Sequence, residues 1–176
     1  MTTSPNKPSP ASRREAGERA NLRFIFAHPA HLIAFGFGTG LAPKAPGTVG
    51  TLLGLPLYWA IISIAPDLPN QIILLIATFV LGIWACGRTG RALGVPDHGG
   101  MVWDEIVAFA LVLLFTPAGW LWIALAFALF RLFDILKPWP IRLADTRLKG
   151  GFGVMFDDLL AALYAIAVIK GVQWLV

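Results

Sequence analysis

Five carboxylates stand beside or inside long apolar runs. They are Asp104 and Glu105 in Met-Val-Trp-Asp-Glu-Ile-Val, Asp134 in Phe-Arg-Leu-Phe-Asp-Ile-Leu-Lys-Pro, and Asp157 with Asp158 in Val-Met-Phe-Asp-Asp-Leu-Leu. Ionisable groups at hydrocarbon depth are costly and usually mark a site. Hard oxygen ligands in such a set suit Mg²⁺ and, through it, a phosphate. The function is to be sought where these three segments meet. A plainer reading competes, because acids at helix N-termini are ordinary caps. Three acidic positions on three apolar helices, all on one side, weigh against caps alone. Arg131 lies three residues before Asp134 and shares its helix face. It is either an ion-pair partner or a bidentate grip on phosphate.

A second constellation is Gly-Phe-Gly-Thr-Gly-Leu-Ala-Pro-Lys-Ala-Pro-Gly-Thr-Val-Gly, residues 36–50. It lacks the Gly-Lys-Ser/Thr of a Walker loop and the strand–turn–helix setting of a dinucleotide fingerprint. It does offer backbone N–H groups at Gly47, with Lys44 and Thr48, just before the first apolar helix. That chemistry suits an oxyanion. Asp97-His98-Gly99-Gly100 precedes the first acidic pair on a loop. His98 is a candidate general acid or water-positioning base, beside the simpler reading of an exposed loop histidine. His28 and His31 are expected at the interface rather than in a site. Cys86 is the sole cysteine, so no intramolecular disulfide can form, and Cys86-Gly87-Arg88 lacks the longer loop of a phosphatase thiolate.

The elements that carry these groups follow from composition and pattern. Of 176 residues, 57% are hydrophobic and 14% charged, with a mean hydropathy of +0.71. A soluble domain is nearer half apolar and a quarter charged, and a small core cannot hide this much apolar surface. The expected fold is all-α: a polytopic membrane helical bundle of about five apolar helices behind a Gly-rich N-terminal loop. The runs cover residues 49–65, with a kink at Pro56, then 72–85, 101–115, 120–136 and 158–176. They are continuous rather than alternating and too long for strands. Several fall short of the roughly 20 residues of a straight span, so some are expected to be short, tilted or partly spanning. Pro and Gly punctuate them at 65–70, 94–100, 116–119 and 137–153.

Residues 1–23 read as a flexible basic cytoplasmic tail, with Lys7, Arg13, Arg14, Arg19 and Arg23, and residues 24–176 as one membrane-embedded catalytic domain. Such a tail suits anionic lipid better than nucleic acid, and no nucleic-acid partner is expected. No secretory signal peptide is expected either. With the tail inside, the loops at 65–70 and 116–119 face outward and carry no Lys or Arg. The inward loops carry Arg88 and Arg91, then Lys137, Arg142, Arg147 and Lys149, leaving only Lys170 misplaced. This topology brings all five acids to the cytoplasmic interface. It also puts four of them at helix starts, where the macrodipole favours anions.

The stretches 36–50, 97–105, 130–141 and 150–158 together resemble the phosphatidylglycerophosphatase A family. The likeness is carried jointly by Ala-Pro-Gly-Thr-Val-Gly, Val-Trp-Asp-Glu, Phe-Arg-Leu-Phe-Asp-Ile-Leu-Lys-Pro-Trp-Pro-Ile and Gly-Gly-Phe-Gly-Val-Met-Phe-Asp-Asp, in order from about His31 onward. It implies a bacterial inner-membrane, Mg²⁺-dependent lipid phosphatase with its active site at the cytoplasmic face. Such an enzyme removes the terminal phosphate of phosphatidylglycerophosphate, giving phosphatidylglycerol and inorganic phosphate. The family's acidic positions match Asp104, Glu105, Asp134, Asp157 and Asp158, and its basic and Gly-rich positions match Lys44, Arg131 and Lys137.

On this reading the five acids hold Mg²⁺. Lys44, Gly47, Thr48, Arg131 and Lys137 bind phosphate, and Asp104, Asp158, Lys44, Arg131 and His98 are the catalytic candidates. One metal or two, and attack by water or by a carboxylate, both stay open. The alternative is a small membrane divalent-cation transporter or channel with an acidic vestibule. It accounts for acids and helices but not for Lys44 and Arg131 near them. A purely structural bundle with capping acids is the third reading.

Overall fold

Apolar runs punctuated by Pro and Gly fold as helices because, in an apolar surrounding, a helix satisfies its own backbone polar groups. The computed structural model describes residues 20–175, together with Ala11 and Glu15. Among the described residues there are nine α-helices and no strand. They are α1 (Leu22–Phe26), α2 (Pro29–Ala34), α3 (Pro46–Leu52), α4 (Gly54–Ile64), α5 (Leu68–Leu93), α6 (Trp103–Leu114), α7 (Trp120–Leu136), α8 (Ile141–Arg147) and α9 (Gly150–Leu175), with a 3-10 turn at Gly36–Leu41.

Helix α6 is the axle. Nine of its twelve residues are buried, and α3, α4, α5, α7 and α9 all pack on it. Ile106 and Val107 belong to one core cluster, with Ala34, Leu75 and Met155. Phe109 and Val112 belong to a second, with Phe130, Ile141 and Ala162. The ring of Phe109 stacks on Phe130 with centroids 5.9 Å apart. At the crossing of α5 and α9 a Cβ on Gly151 would lie 1.8 Å from the Ile83 carbonyl oxygen. Only glycine permits this approach, the small-residue contact on which packing in an apolar solvent depends.

Three segments are long and apolar enough to cross a membrane: Pro46–Ile64, Leu68–Leu93 and Gly150–Leu175. The two 26-residue helices measure about 39 Å at 1.5 Å per residue, more than the hydrocarbon core of roughly 30 Å. Helices α6 and α7, of 12 and 17 residues, are shorter, as expected of partly spanning elements. Large apolar side chains such as Ile64, Ile73, Val80 and Leu163 face outward.

Several boundaries differ from the sequence expectation, each for a local reason. The first apolar run breaks at Leu53 instead of kinking at Pro56. Pro56 has no N–H for the carbonyl of Leu52 and its ring crowds that group, so the break falls a turn earlier. The second run extends to Leu93, where Gly94 closes it in the left-handed conformation (φ 74°). The last helix begins at Gly150, not at Asp158. Asp157 and Asp158 are therefore two turns inside α9, and the macrodipole does not account for them. The glycines at 150–153 did not break the helix because they let it press against its neighbours: a Cβ on Gly153 would meet Leu148 at 2.6 Å.

The Gly-rich stretch is partly helical, and α1 and α2 precede it. His28 caps α2, its Nδ1 accepting the Ala30 N–H at 3.0 Å. His31 is buried, not interfacial: its ring stacks on Phe24 and its Nδ1 lies 2.9 Å from the Thr89 hydroxyl. Cys86 is buried within α5. Helix α1 crosses the division placed between residues 23 and 24. Lys7, Arg13, Arg14 and Arg19 lie outside the described residues.

Candidate active site

The acids meet at the common end of α6, α7 and α9. Glu105, in the first turn of α6, accepts the Thr51 hydroxyl of α3 at 2.6 Å and pairs with Arg131 of α7. The same Arg131 Nη1 donates to Asp134 at 2.7 Å and to the Thr51 oxygen at 3.4 Å. Lys137 ends α7 in the left-handed conformation (φ 43°). That turn directs its ammonium to Asp157 of α9 and to Asp145 of α8, the latter at 2.8 Å. Sequence neighbours bring Asp104 and Asp158 into the same layer. Asp158 interacts electrostatically with Asp134, Asp104, Asp157 and Glu105.

Asp104, Asp157 and Asp158 are only 8%, 5% and 4% exposed. Arg131 and Lys137 are the cations bonded to three of the five acids, Glu105, Asp134 and Asp157. The acids therefore outnumber their cations in a poorly hydrated place, where unpaired charge is expensive. Asp97, in the loop before α6, adds to the negative field at Asp104, Glu105 and Asp157. Burial works against the Lys137 ammonium. The Asp157 carboxylate and hydrogen bonds to Asp145 and Asp157 outweigh it and hold its pKa above the usual lysine value.

Among the described residues, three buried polar atoms have no hydrogen-bond partner: Arg131 Nε, Asp157 Oδ1 and Asp158 Oδ2. They are one donor and two acceptors, an unusual debt for a folded interior. The acceptors suit a hard cation and the donor suits an anion. Among the described residues no three carboxylate, histidine or cysteine side chains converge into a ready ligand group. Mg²⁺ does not need one, since it commonly takes one or two carboxylates and completes its octahedron with water and phosphate oxygens. The donor set therefore fits that ion, with Asp157 and Asp158 as the side chains that keep oxygens free.

The model of the phosphatidylglycerophosphatase A family matches residues 32–173. The chain belongs to this family. A Haemophilus influenzae phosphatidylglycerophosphatase A is 48% identical over 150 residues, covering 84% of this chain and 90% of the relative. The Escherichia coli phosphatidylglycerophosphatase A is 36% identical over 151 residues, 85% and 87% of the two chains. A Bacteroides thetaiotaomicron protein, provisionally named a phosphatidylinositol-3-phosphatase, is 38% identical over 152 residues, 82% and 94% of the two chains. No solved structure matches. A phosphatidylglycerophosphatase A family member is a phosphatase, which decides against the transporter and the purely structural bundle.

Not every motif residue of the family pattern lies in the network. Lys44 is exposed ahead of α3 and, among the described residues, has no ion pair or hydrogen bond. Thr48 is half-buried on α3. Gly47 does belong: a Cβ there would come within 2.2 Å of Glu105 Oε1, so α3 is pressed against that carboxylate. His98 Nδ1 accepts the Gly100 N–H at 3.0 Å, and its ring lies against Phe35. Burial pushes its pKa below 6.5, so it is a neutral turn-former whose remaining proton sits on Nε2.

Thr51 and Asp145 had no role in the motifs. Thr51 is fully buried and its hydroxyl has two acceptors, Gly47 O and Glu105 Oε2, for one proton. The usable signal was its spacing, one helical turn after Gly47 in a run otherwise apolar. Asp145 had no comparable signal, because Lys137 reaches it only through the fold of α8.

Proposed function

We propose that this phosphatase is Mg²⁺-dependent and hydrolyses the terminal phosphate monoester of phosphatidylglycerophosphate, at the cytoplasmic face of a bacterial inner membrane. The observation that carries the reading is the pairing of orphans in one layer. Arg131 Nε lacks an acceptor while Asp157 Oδ1 and Asp158 Oδ2 lack a cation, needs that a phosphate and a divalent ion would meet. The names of the Haemophilus and Escherichia relatives support the substrate, and the placement of Lys and Arg in the loops supports the cytoplasmic face.

Asp157 and Asp158 would hold the ion through the oxygens they keep free. Bound Mg²⁺ supplies Lewis-acid polarisation of the phosphoryl group and of the attacking water. Glu105, Asp134 and Thr51 all hold the Arg131 guanidinium by its Nη1 end. It thus meets the spreading phosphoryl charge without reorganising. Lys137, held by Asp145 and Asp157, adds a second fixed positive charge on the same side. Asp104 accepts the Glu105 N–H at 3.0 Å through Oδ1. Its other oxygen is the base we assign to the attacking water. The lipid stays at bilayer depth while its phosphate meets this layer.

Phosphate release from phosphatidylglycerophosphate, measured before EDTA, after EDTA and after added Mg²⁺, tests the reading. Loss and recovery are expected. Full activity after exhaustive chelation removes the metal from the proposal, and no release under any condition removes the substrate.

A further inference from the structure

A groove of about 290 Å³ runs between α5, α6 and α9. Its walls include Leu75 and Phe79 of α5, Ala108 and Leu111 of α6, and Leu159 of α9. Among the described residues that line it, Asp104 alone is polar. It follows α5 from Ile72 to Phe79 and α6 from Asp104 to Leu111, about 10 Å along each helix at 1.5 Å per residue. Ile76 at its rim is 56% exposed, so the groove opens sideways onto the apolar surface. One end therefore stands in the acidic layer and the remainder leads away between apolar walls.

We infer that this groove seats one acyl chain of the phospholipid substrate, with the lipid's polar end delivered to the acidic layer at Asp104. The inference rests on the phosphatase reading and names the part of the substrate that the acids cannot recognise. A dry apolar cavity takes an apolar guest rather than water. Continuity with Asp104 selects a guest that is apolar along its length and polar at one end. The gain is van der Waals fit, because bilayer tails are as apolar as the groove. Its effect is orientation: a chain clamped over 10 Å limits how the headgroup can approach Asp157 and Asp158.

The test compares two substrates on the full-length protein in detergent: phosphatidylglycerophosphate and its water-soluble deacylated counterpart, glycerophosphoglycerophosphate. Ala108→Phe fills the groove. Leu111→Phe, at a half-buried position, is the second variant should the first fold poorly. Each is expected to lower kcat/KM for the acylated substrate at least tenfold more than for the deacylated one. Equal loss on both substrates, or no loss on either, overturns the groove.

A second readout does not need turnover. A phosphatidylglycerophosphate analogue carrying a diazirine in one acyl chain should label peptides containing Phe79, Leu111 or Leu159 in the wild type and far less in Leu111→Phe. Labelling confined to other surfaces, or unchanged by the variant, overturns it. If the wild type labels in the groove yet releases no phosphate from either substrate, the phosphatase reading has failed and the chain-binding groove stands.

Discussion

Gly47→Ala should separate activity from stability, because one added carbon strikes the site and little else. Gly47 lies in the first turn of α3 with ordinary helical geometry, where alanine is intrinsically better than glycine by about 1 kcal/mol. The new Cβ would lie 2.2 Å from Glu105 Oε1, against an ordinary contact of 3.4 Å or more. Glu105 must therefore retreat by about 1 Å, and that retreat opposes the Thr51 hydrogen bond of 2.6 Å. At roughly 3.6 Å the bond no longer exists. Losing a hydrogen bond to a charged group costs about 1.5–3 kcal/mol, so against the alanine gain of about 1 kcal/mol the net stability change is a loss of only about 0.5–2 kcal/mol and the protein folds.

Catalysis should suffer more. A misplacement of about 1 Å can cost about 100-fold in rate, and Glu105 is one of the groups that aim Arg131. The assay is phosphate release from phosphatidylglycerophosphate in detergent, beside thermal unfolding. Gly171→Ala, whose Cβ meets nothing within 4 Å, is the control and should leave kcat/KM unaltered. Adding Glu105→Asp to Gly47→Ala shortens the acid by one methylene and should recover at least tenfold. A folded Gly47→Ala protein with wild-type kcat/KM would refute the claim that turnover depends on where Glu105 sits.

Other outcomes follow from the same geometry. Asp158→Asn removes a buried carboxylate with an unpartnered oxygen, so kcat should drop at least about 100-fold while the melting temperature holds or rises; a marked fall in melting temperature would show the charge to be structural. Asp104→Asn should lower kcat without changing the Mg²⁺ concentration for half-maximal activity, whereas Asp158→Asn should raise that concentration, and the reverse pattern would exchange the two roles. Thr51→Val keeps the shape but deletes the hydroxyl on Glu105, costing about 1–3 kcal/mol of stability and about tenfold in kcat/KM. His98 has its pKa lowered by burial, so the neutral ring favours the folded state. That stability is present above pH 6.5 and is lost as pH falls through the folded-state pKa. Melting curves from pH 7.5 to pH 5 should therefore fall more steeply for the wild type than for His98→Gln, and parallel curves would remove this role.

Much of the fold was legible in the chain. The composition demanded an apolar surrounding, and the run at 120–136 coincides with α7. The acids, Arg131 and Lys137 stood out because charge in an apolar run is costly and seldom idle. The start of α9 was not legible, since Gly-Gly-Phe-Gly reads as a breaker and becomes a contact surface only when α5 lies beside it. Nor was the division of labour among the acids, which depends on whom each one meets.

Residue types and their order determined by themselves a helical, strongly apolar fold with acids set beside its apolar runs, because hydropathy and charge cost are properties of a segment; the phosphatase reading came from the joint family motifs. Tertiary structure alone decided that Arg131 joins Glu105 to Asp134, that Lys137 joins Asp145 to Asp157, and that Thr51 and Gly47 grip Glu105. Hydrogen bonds and close contacts act over about 3 Å. Helices separated by dozens of residues reach that distance only through the packing of their apolar faces, which no local pattern records.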